Sequence, residues 1–162
     1  MSRRHLSCKE GRGFHLAMQT LDRTRLECAA ISIGIAQRAL DLSIDYAKTR
    51  VTFGKPIAKL QAIQFMLADM EIRCQTARSL VYECARLVDS GTVNGKMNAI
   101  AKAYASEAAM QNALDAVQIL SGYGYSREYE AEKLMRDAKI FMIFEGTNQI
   151  QRVVIAGHLL KD

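Results

Sequence analysis

Apolar residues recur along most of this chain at spacings of three and four positions, the spacing of one face of an α-helix. In the first long stretch they stand at positions 26, 29, 30, 33, 36, 40 and 44. The pattern predicts helices at about 14 or 22 to 50, 57–90, 96–120, 127–143 and 147–160. Nothing in the pattern predicts a strand. Three long helices and a split fourth, joined by short connections, indicate an all-α fold, specifically an antiparallel four-helix bundle.

The composition agrees with a single helical domain. The sequence of 162 residues is 49% hydrophobic and contains one proline, Pro56, and this usage favours helices over strands. We expect a glycine-broken lead-in over residues 1–12 and the bundle over residues 13–162. Gly34 lies inside the first helix, where it lowers the helix propensity and is expected to allow a close helix contact.

Charge and composition argue against several classes of function. The net charge is +5, but the 22 basic residues are scattered among 17 acidic ones. This distribution argues against a nucleic-acid partner and favours a few arginines that contact the phosphates of a small ligand. No apolar stretch is long enough for a membrane span. The four cysteines form no CxxC pair and the three histidines no metal-type spacing, so we predict no metal site and reduced, structural thiols.

The most informative stretch is RDAKIFMIFEGTNQIQR, residues 136–152, which predicts a helix, a break and a second helix. Gly146 permits a sharp turn, and Thr147 is a good N-cap for the last helix. Glu145 therefore stands on a short break with apolar residues before it. Such a setting desolvates a carboxylate, raises its pKa and suits a general base. The alternative is a solvated acid stabilised by the helix dipole, which this stretch alone favours.

Three other breaks leave a structural and a functional interpretation open. In RVTFGKP, Arg50 either neutralises a helix end or contacts a phosphate. In QILSGYGY, the glycines either cap a helix or let a flat ligand approach the backbone. In LDRTR, Arg23 and Arg25 follow Asp22, a candidate N-cap, and form either a solvated face or a phosphate clamp. Each signal alone favours the structural interpretation.

Taken together and in this order, KEGRGF, LDRTR, RVTFGKPIAKLQ, QILSGYGY, RDAK and FEGTNQIQR resemble the C-terminal helical domain of the acyl-CoA dehydrogenase family. The resemblance extends from about residue 9 to the end of the chain, and the family's N-terminal helical and middle β domains have no counterpart in it. It implies α,β-dehydrogenation of an acyl-CoA to a trans-2-enoyl-CoA with FAD as the cofactor. It favours the short-chain, butyryl-CoA-type or branched-chain subgroup.

The resemblance also implies a role for each matched residue. Glu145 would remove the α-proton, and its backbone N–H would donate to the thioester oxygen. Some relatives carry the base at the position of Thr24, which cannot do this work. FAD, partly that of a neighbouring subunit, would contact Arg50, Val51, Thr52, Phe53, Leu60, Gln61, Gln118, Ile119, Leu120, Ser121 (in place of a more usual glycine), Gly122, Thr147, Asn148 and Gln149. Acyl-CoA would contact Asp22, Arg23, Thr24, Arg25 and Gly146.

Partners and location are implied in the same way. We expect a homodimer or homotetramer, an electron-transfer flavoprotein as the electron acceptor, and a mitochondrial matrix or bacterial cytoplasmic location. Two other hypotheses are a non-catalytic helical module that only assembles, and a flavin- or CoA-binding relative with altered chemistry, such as an oxidase. The presence of Arg50, Gln118 and Glu145 argues against the first, and the intact FEGT argues against the second.

Overall fold

The computed structural model describes residues 9–161, which form six α-helices, one short 3₁₀ helix and a ribbon of two short strands. In chain order the elements are α1 (Gly13–Thr49), β1 (Val51–Thr52), β2 (Lys55–Pro56), the 3₁₀ helix (Ile57–Lys59), α2 (Gln61–Asp89), α3 (Gly95–Leu120), α4 (Gly122–Tyr125), α5 (Ala131–Phe141) and α6 (Asn148–Leu159). The predicted all-α fold is confirmed. Predictions about residues 1–8 and 162, including Cys8 and His5, lie outside the described residues, and the division of the chain after residue 12 stays a prediction.

The central helix of the bundle is α3. It contacts α1, α2, α4, α5 and α6, and buried alanines cover its surface because small side chains let the neighbouring helices approach closely. These alanines are Ala99, Ala101, Ala105, Ala109, Ala113 and Ala116. The long helices α1, α2 and α3 are the three predicted ones, and α5 with α6 forms the split fourth. None of the described helices combines the length and the apolar character of a membrane span.

The apolar core consists of two clusters. The larger cluster includes Leu40, Met70 and Leu120, and the smaller one includes Ile33 and Val81. Cys74 belongs to the larger cluster and Cys84 to the smaller one. Cys28, Cys74 and Cys84 are buried free thiols, so the prediction that they are reduced and structural agrees with their placement.

The link between α1 and α2 contains a ribbon that the sequence pattern did not predict. β1 pairs with β2 in antiparallel orientation. The two-residue turn between them takes a positive φ at both positions, 52° at Phe53 and 76° at Gly54, as tight hairpin turns require. Strands of two residues are too short to produce an alternating pattern, so the expectation of no strand was wrong at this link.

The glycines near the end of α3 do not form its C-cap, which is one of the two roles left open for them. Ser121 takes the positive φ of 57° after the last residue of α3, whereas Gly122 and Gly124 lie in the single-turn helix α4. A Cβ on Gly124 would lie only 2.6 Å from the backbone oxygen of Val117, but a Cβ on Gly34 would meet nothing within 4 Å. The close contact that a glycine permits is therefore at Gly124, and the one expected at Gly34 was wrong.

Candidate functional site

Glu145 lies on the segment between α5 and α6, residues 142–147, which we name the α5–α6 turn. The backbone N–H of Asn148 closes this turn by donating to the oxygen of Met142 at 3.0 Å. Thr147 caps α6, since its hydroxyl accepts from the N–H of Ile150 at 3.2 Å. The predicted break between two helices and the predicted cap are both present.

The backbone of the turn adopts an uncommon conformation. Glu145 and Gly146 have consecutive positive φ values of 56° and 86°. A left-handed φ costs a residue with a Cβ about 1 kcal/mol or more and persists only where the surroundings impose it. In the described part of the chain, the N–H groups of Glu145, Gly146 and Thr147 donate to no backbone carbonyl. Three successive N–H groups, one of them that of the half-buried Glu145, therefore have no backbone acceptor among the described residues.

Two buried side chains bind the carbonyl groups of this turn. The carboxamide nitrogen of Gln151 donates to the oxygen of Glu145 at 3.2 Å and to that of Gly146 at 2.9 Å. The ammonium group of Lys102 donates to the same Gly146 oxygen at 2.8 Å. A Cβ on Gly146 would lie 2.8 Å from the Gln151 nitrogen. Glycine is thus required at 146 by both its φ and its close neighbour.

Lys102 is a fully buried cation on α3. Its second acceptor is the side-chain oxygen of Asn148 at 2.9 Å, and its acceptors are neutral carbonyl and amide oxygens. Burial lowers the pKa of Lys102 and repulsion from Arg25 acts in the same direction, whereas attraction to Glu145 and Glu107 opposes the shift. Burial of a charged amine without a paired carboxylate costs free energy. The presence of Lys102 inside the bundle therefore needs a physical reason.

Four of the predicted acyl-CoA residues, at positions 22–25, lie in the first part of α1, and one of them contacts Glu145. The hydroxyl of Thr24 donates to the Glu145 carboxylate at 2.5 Å. Asp22, Arg23 and Thr24 line a cavity of about 670 Å³. Arg25 differs from them, because its side chain is 2% exposed and is paired with Asp22 at 2.6 Å inside the bundle.

A second cavity, of about 570 Å³, lies at the other end of α1. It is lined by six of the predicted FAD residues, Arg50, Thr52, Leu60, Ile119, Ser121 and Gly122. The guanidinium carbon of Arg50 lies 5.6 Å from the centre of the Tyr123 ring, which also lines the cavity. A Cβ on Gly122 would meet nothing within 4 Å, so the main chain there is open to a ligand.

The remaining predicted FAD residues divide between the two ends. Four of them are exposed and lie on the elements that border the second cavity: Val51, Phe53, Gln61 and Gln118. Leu120 is fully buried in the core. The other three lie where the α5–α6 turn meets α6. Thr147 is half-buried and Gln149 is exposed, whereas the side chain of Asn148 between them is buried.

The two ends of the site are far apart in one chain. Thr24 lies in α1 and Arg50 is the C-cap of the same helix, 26 positions later. At 1.5 Å per residue this is a separation of about 39 Å. The structure therefore does not bring the predicted cofactor residues into one place. It forms two half-sites, one around Glu145 and one around Arg50.

Comparisons with known proteins identify the family of the chain. A family model described as the C-terminal domain of acyl-CoA dehydrogenase matches residues 11–160. The chain belongs to the acyl-CoA dehydrogenase family. It is 53% identical over 152 residues to an acyl-CoA dehydrogenase of Bacillus subtilis, and the match covers 94% of this chain and 40% of that protein. Relatives of similar identity include bacterial and mitochondrial enzymes.

Solved structures of the family have the same fold. Butyryl-CoA dehydrogenase from Megasphaera elsdenii superposes with a TM-score of 0.93 at 49% identity, covering 94% of this chain and 40% of that chain. A chain in the structure of the electron transferring flavoprotein of Acidaminococcus fermentans gives the same TM-score and identity, covering 95% of this chain and 40% of that one. The chain thus spans about two fifths of the length of the relatives it matches.

The sequence interpretation missed Lys102 and Gln151 as members of the site. A signal for Lys102 was present, because Asn98, Lys102 and Ser106 follow one another at four-residue spacing in a helix otherwise rich in alanine. All three are buried, and a polar stripe on a central helix indicates polar partners inside the bundle. Gln151 had no comparable signal, since it reads as an ordinary polar residue of α6.

Proposed function

We propose that this chain is the base-bearing domain of an FAD-dependent acyl-CoA dehydrogenase that converts short or branched-chain acyl-CoA to trans-2-enoyl-CoA. The observation that carries the proposal is the α5–α6 turn, which bears the Glu145 carboxylate in contact with Thr24 and three successive N–H groups that donate to no backbone carbonyl among the described residues. A carboxylate next to free backbone donors is what proton abstraction beside a thioester needs.

Glu145 acts as the general base in this mechanism. The α-proton of a thioester is weakly acidic, and negative charge develops on the carbonyl oxygen as the proton leaves. A positioned carboxylate takes the proton, and backbone N–H groups stabilise the developing charge. The N–H of Glu145 is the donor that the family resemblance implies, and its neighbours at Gly146 and Thr147 face no competing backbone acceptor among the described residues.

The acyl-CoA binds beside the first part of α1. Asp22, Arg23 and Thr24 border the first cavity, and Thr24 also contacts the base. Arg23 is exposed there and can meet a phosphate. Arg25 contributes indirectly, because it is buried and its guanidinium pairs with Asp22. The Asn98 side chain donates to the backbone oxygen of Asp22 at 2.6 Å, so this segment is held from two sides.

The residues present fit a bound FAD. At the Glu145 half-site, Thr147 and Gln149 flank the start of α6, and Asn148 can contribute only its main chain because its side chain is buried. At the Arg50 half-site, the open main chain at Ser121 and Gly122 and the Arg50 guanidinium suit a phosphate-bearing cofactor. When bound, FAD accepts the β-hydrogen of the substrate as hydride.

Assembly of two copies follows from the separation of the half-sites. One FAD does not reach both Glu145 and Arg50 of a single chain across about 39 Å of α1. We infer that the Arg50 half-site of one subunit completes the cofactor site of its neighbour, in a homodimer or homotetramer. The FAD residues assigned to α1, α3 and α4 then belong to the adjoining subunit's cofactor.

The substrate class, electron acceptor and location are proposed from the family. Butyryl-CoA dehydrogenase is among the structures that match, which supports a short acyl chain. A match to a chain in an electron transferring flavoprotein structure supports that class of acceptor. Because both bacterial and mitochondrial relatives match, we propose the bacterial cytoplasm or the mitochondrial matrix. The chain spans 40% of its relatives, and we propose that turnover needs the remainder.

The test uses a chimera in which residues 13–162 follow the N-terminal three fifths of the Bacillus subtilis relative. We expect the chimera to bind FAD. Addition of butyryl-CoA should then bleach its flavin absorbance. The E145Q variant should lose turnover by about 10²–10⁴-fold, whereas the matched control E71Q, on the exposed face of α2, should keep it. Equal turnover by E145Q would overturn the proposal. A chimera that binds FAD and never turns over would favour the non-catalytic assembly module.

A further inference from the structure

We propose that Lys102 is the positioning residue of the α5–α6 turn. Together with Gln151, it holds the carbonyl groups of Glu145 and Gly146 toward the bundle interior, so that the Glu145 carboxylate and the N–H groups of Gly146 and Thr147 face the substrate. The effect of Lys102 on catalysis rests on the proposed function. The positioning of the turn by Lys102 is a property of this chain alone.

The first step of the argument is the planarity of the peptide group. Because C=O and N–H point in opposite directions across a trans peptide, a carbonyl fixed inward directs the next N–H outward. Gln151 binds the oxygen of Glu145, and both Gln151 and Lys102 bind that of Gly146. The N–H groups that follow, those of Gly146 and Thr147, are therefore directed away from the interior.

The second step is the strained backbone. Glu145 holds a left-handed φ of 56° although it carries a Cβ, and the next residue has φ 86°. Such a pair relaxes unless neighbouring groups fix it. The inward hydrogen bonds from Lys102 and Gln151 are the contacts that fix it from the bundle side, and Thr24 fixes the carboxylate from α1.

The third step is the rigidity of the donors. Lys102 and Gln151 are fully buried, so neither swings out to water. The Asn148 oxygen that also binds Lys102 is bound by the Ser106 hydroxyl at 3.2 Å. The ammonium group is thus held on α3, the most contacted helix of the bundle, and transmits the rigidity of that helix to the turn.

Charged and titratable groups surround Lys102. Arg25 and Cys28 face it from α1, Glu107 from α3 itself, and Glu145 from the turn. Burial lowers the pKa of Lys102, and the interactions with Cys28, Glu145 and Glu107 oppose that shift without cancelling it. A charged donor also makes a stronger hydrogen bond to a carbonyl than a neutral donor makes. An apolar side chain of similar length would fill the space without holding the turn.

The structural test is residue-resolved amide hydrogen exchange on the full 162-residue chain. The reporter is the Asn148 N–H, whose bond to Met142 closes the turn, and the reference is the Ala109 N–H in the core of α3. In K102M we expect protection at Asn148 to fall about 10-fold or more beyond any fall at Ala109, as for the loss of a charged hydrogen bond. K102R should recover part of it.

The matched control is N112L. Asn112 is a buried polar residue of α3 that bonds to Ala36 and Met70, ten positions from Lys102. Its loss should lower protection at both amides equally. If K102M also lowers the exchange protection equally at Asn148 and Ala109, the inference is overturned. If K102M does not fold, Q151M removes the other donor of the turn and must show the same selective loss.

The catalytic test uses the chimera. K102M should lower kcat by about 100-fold, the cost of a misplaced reacting group, with KM for butyryl-CoA and FAD content unchanged, and N112L should not. An active chimera in which K102M keeps its kcat would overturn the catalytic half of the inference. An inactive wild-type chimera would contradict the proposed function instead, and the exchange result would still decide whether Lys102 positions the turn.

Discussion

The hydroxyl of Thr24 donates a hydrogen bond of 2.5 Å to Oε2 of Glu145, joining residues 121 positions apart in the sequence. The contact places the first part of α1 directly against the α5–α6 turn. Positions 24 and 145 therefore face the same point in the site, although they lie on different elements. In the family resemblance these are the two alternative positions of the catalytic base, and their contact gives that alternative a physical basis.

The first prediction concerns relocation of the base. In the chimera, E145Q should be inactive, and adding T24E should restore turnover at least about 10-fold above E145Q, because a carboxylate on position 24 reaches the same point. The measurement is flavin bleaching by butyryl-CoA. The control is R23E in the E145Q background, which puts a carboxylate one position away on a different face of α1. Recovery by R23E equal to that of T24E would contradict the geometry.

The second prediction concerns Ser121. Its φ of 57° and ψ of −136° belong to a region that glycine occupies readily and other residues do not, and its side chain makes no capping hydrogen bond. S121G should therefore raise the free energy of unfolding by about 1 kcal/mol, measured by urea denaturation. S121A keeps the Cβ and should give no comparable gain. Destabilisation by S121G would show that the backbone there is not strained.

The third prediction compares two glycines of α4. A Cβ on Gly124 would lie 2.6 Å from the oxygen of Val117 and 2.9 Å from Cβ of Leu120. G124A should destabilise the chain by about 2 kcal/mol, because α4 must move away from α3. G122A, whose Cβ meets nothing within 4 Å, should stay within about 0.5 kcal/mol of the wild type. Denaturation midpoints of the two variants measure the difference, and equal midpoints would contradict it.

The fourth prediction concerns the buried thiols. Burial raises the pKa of Cys28 and of Cys74 from 9.0 to about 11. A raised pKa means that the folded chain keeps these protons longer than the unfolded chain does. Their contribution to stability is complete below pH 9 and is lost as the pH rises through about 11. We expect unfolding free energies to fall across this window.

Alkylation provides an independent measurement of the same groups. Iodoacetamide at pH 8 should leave Cys28, Cys74 and Cys84 unmodified in the folded chain and modify all three in urea, as read by peptide mass spectrometry. Inert buried thiols are expected to behave in this way. Rapid modification of Cys28 under native conditions would show that the α1–α3 interface opens more readily than its burial indicates.

The fold was predictable from the sequence to a large extent, and physical reasons explain where it was not. Helical periodicity identified the long helices because their buried faces, such as Leu40 and Ala36 on α1, repeat over many turns. The ribbon after α1 was missed because two-residue strands carry no period. The roles of Gly34 and Gly124 were missed because the sequence does not show which glycine has a neighbouring backbone close to it.

The site was predictable only in part. The break carrying Glu145 and the cap at Thr147 are local features, so the sequence around them sufficed. The contacts that hold the turn are not local, since Lys102 and Thr24 lie 43 and 121 positions before Glu145. Only the fold brings them there. The separation of Arg50 from Thr24 did follow from the sequence, because the predicted first helix places 26 positions, or about 39 Å, between them.

The last prediction concerns the two half-sites. If the Arg50 half-site of one subunit completes the Glu145 half-site of its neighbour, variants that damage different half-sites should complement each other. In the chimera, E145Q and R50E should each be inactive alone. A mixed dimer of the two holds one site with both residues intact and one site with neither. Random assembly at equal amounts should thus restore about a quarter of the wild-type activity, since half of the dimers are mixed and each has one intact site.

The measurement is the activity of the two variants after they are unfolded, mixed and refolded together. The control is the activity of the two variants refolded separately and combined afterwards. Activity that stays at the level of the single variants would place both residues at the site of one subunit, against the distance of about 39 Å between Arg50 and Thr24, the contact of Glu145 on α1.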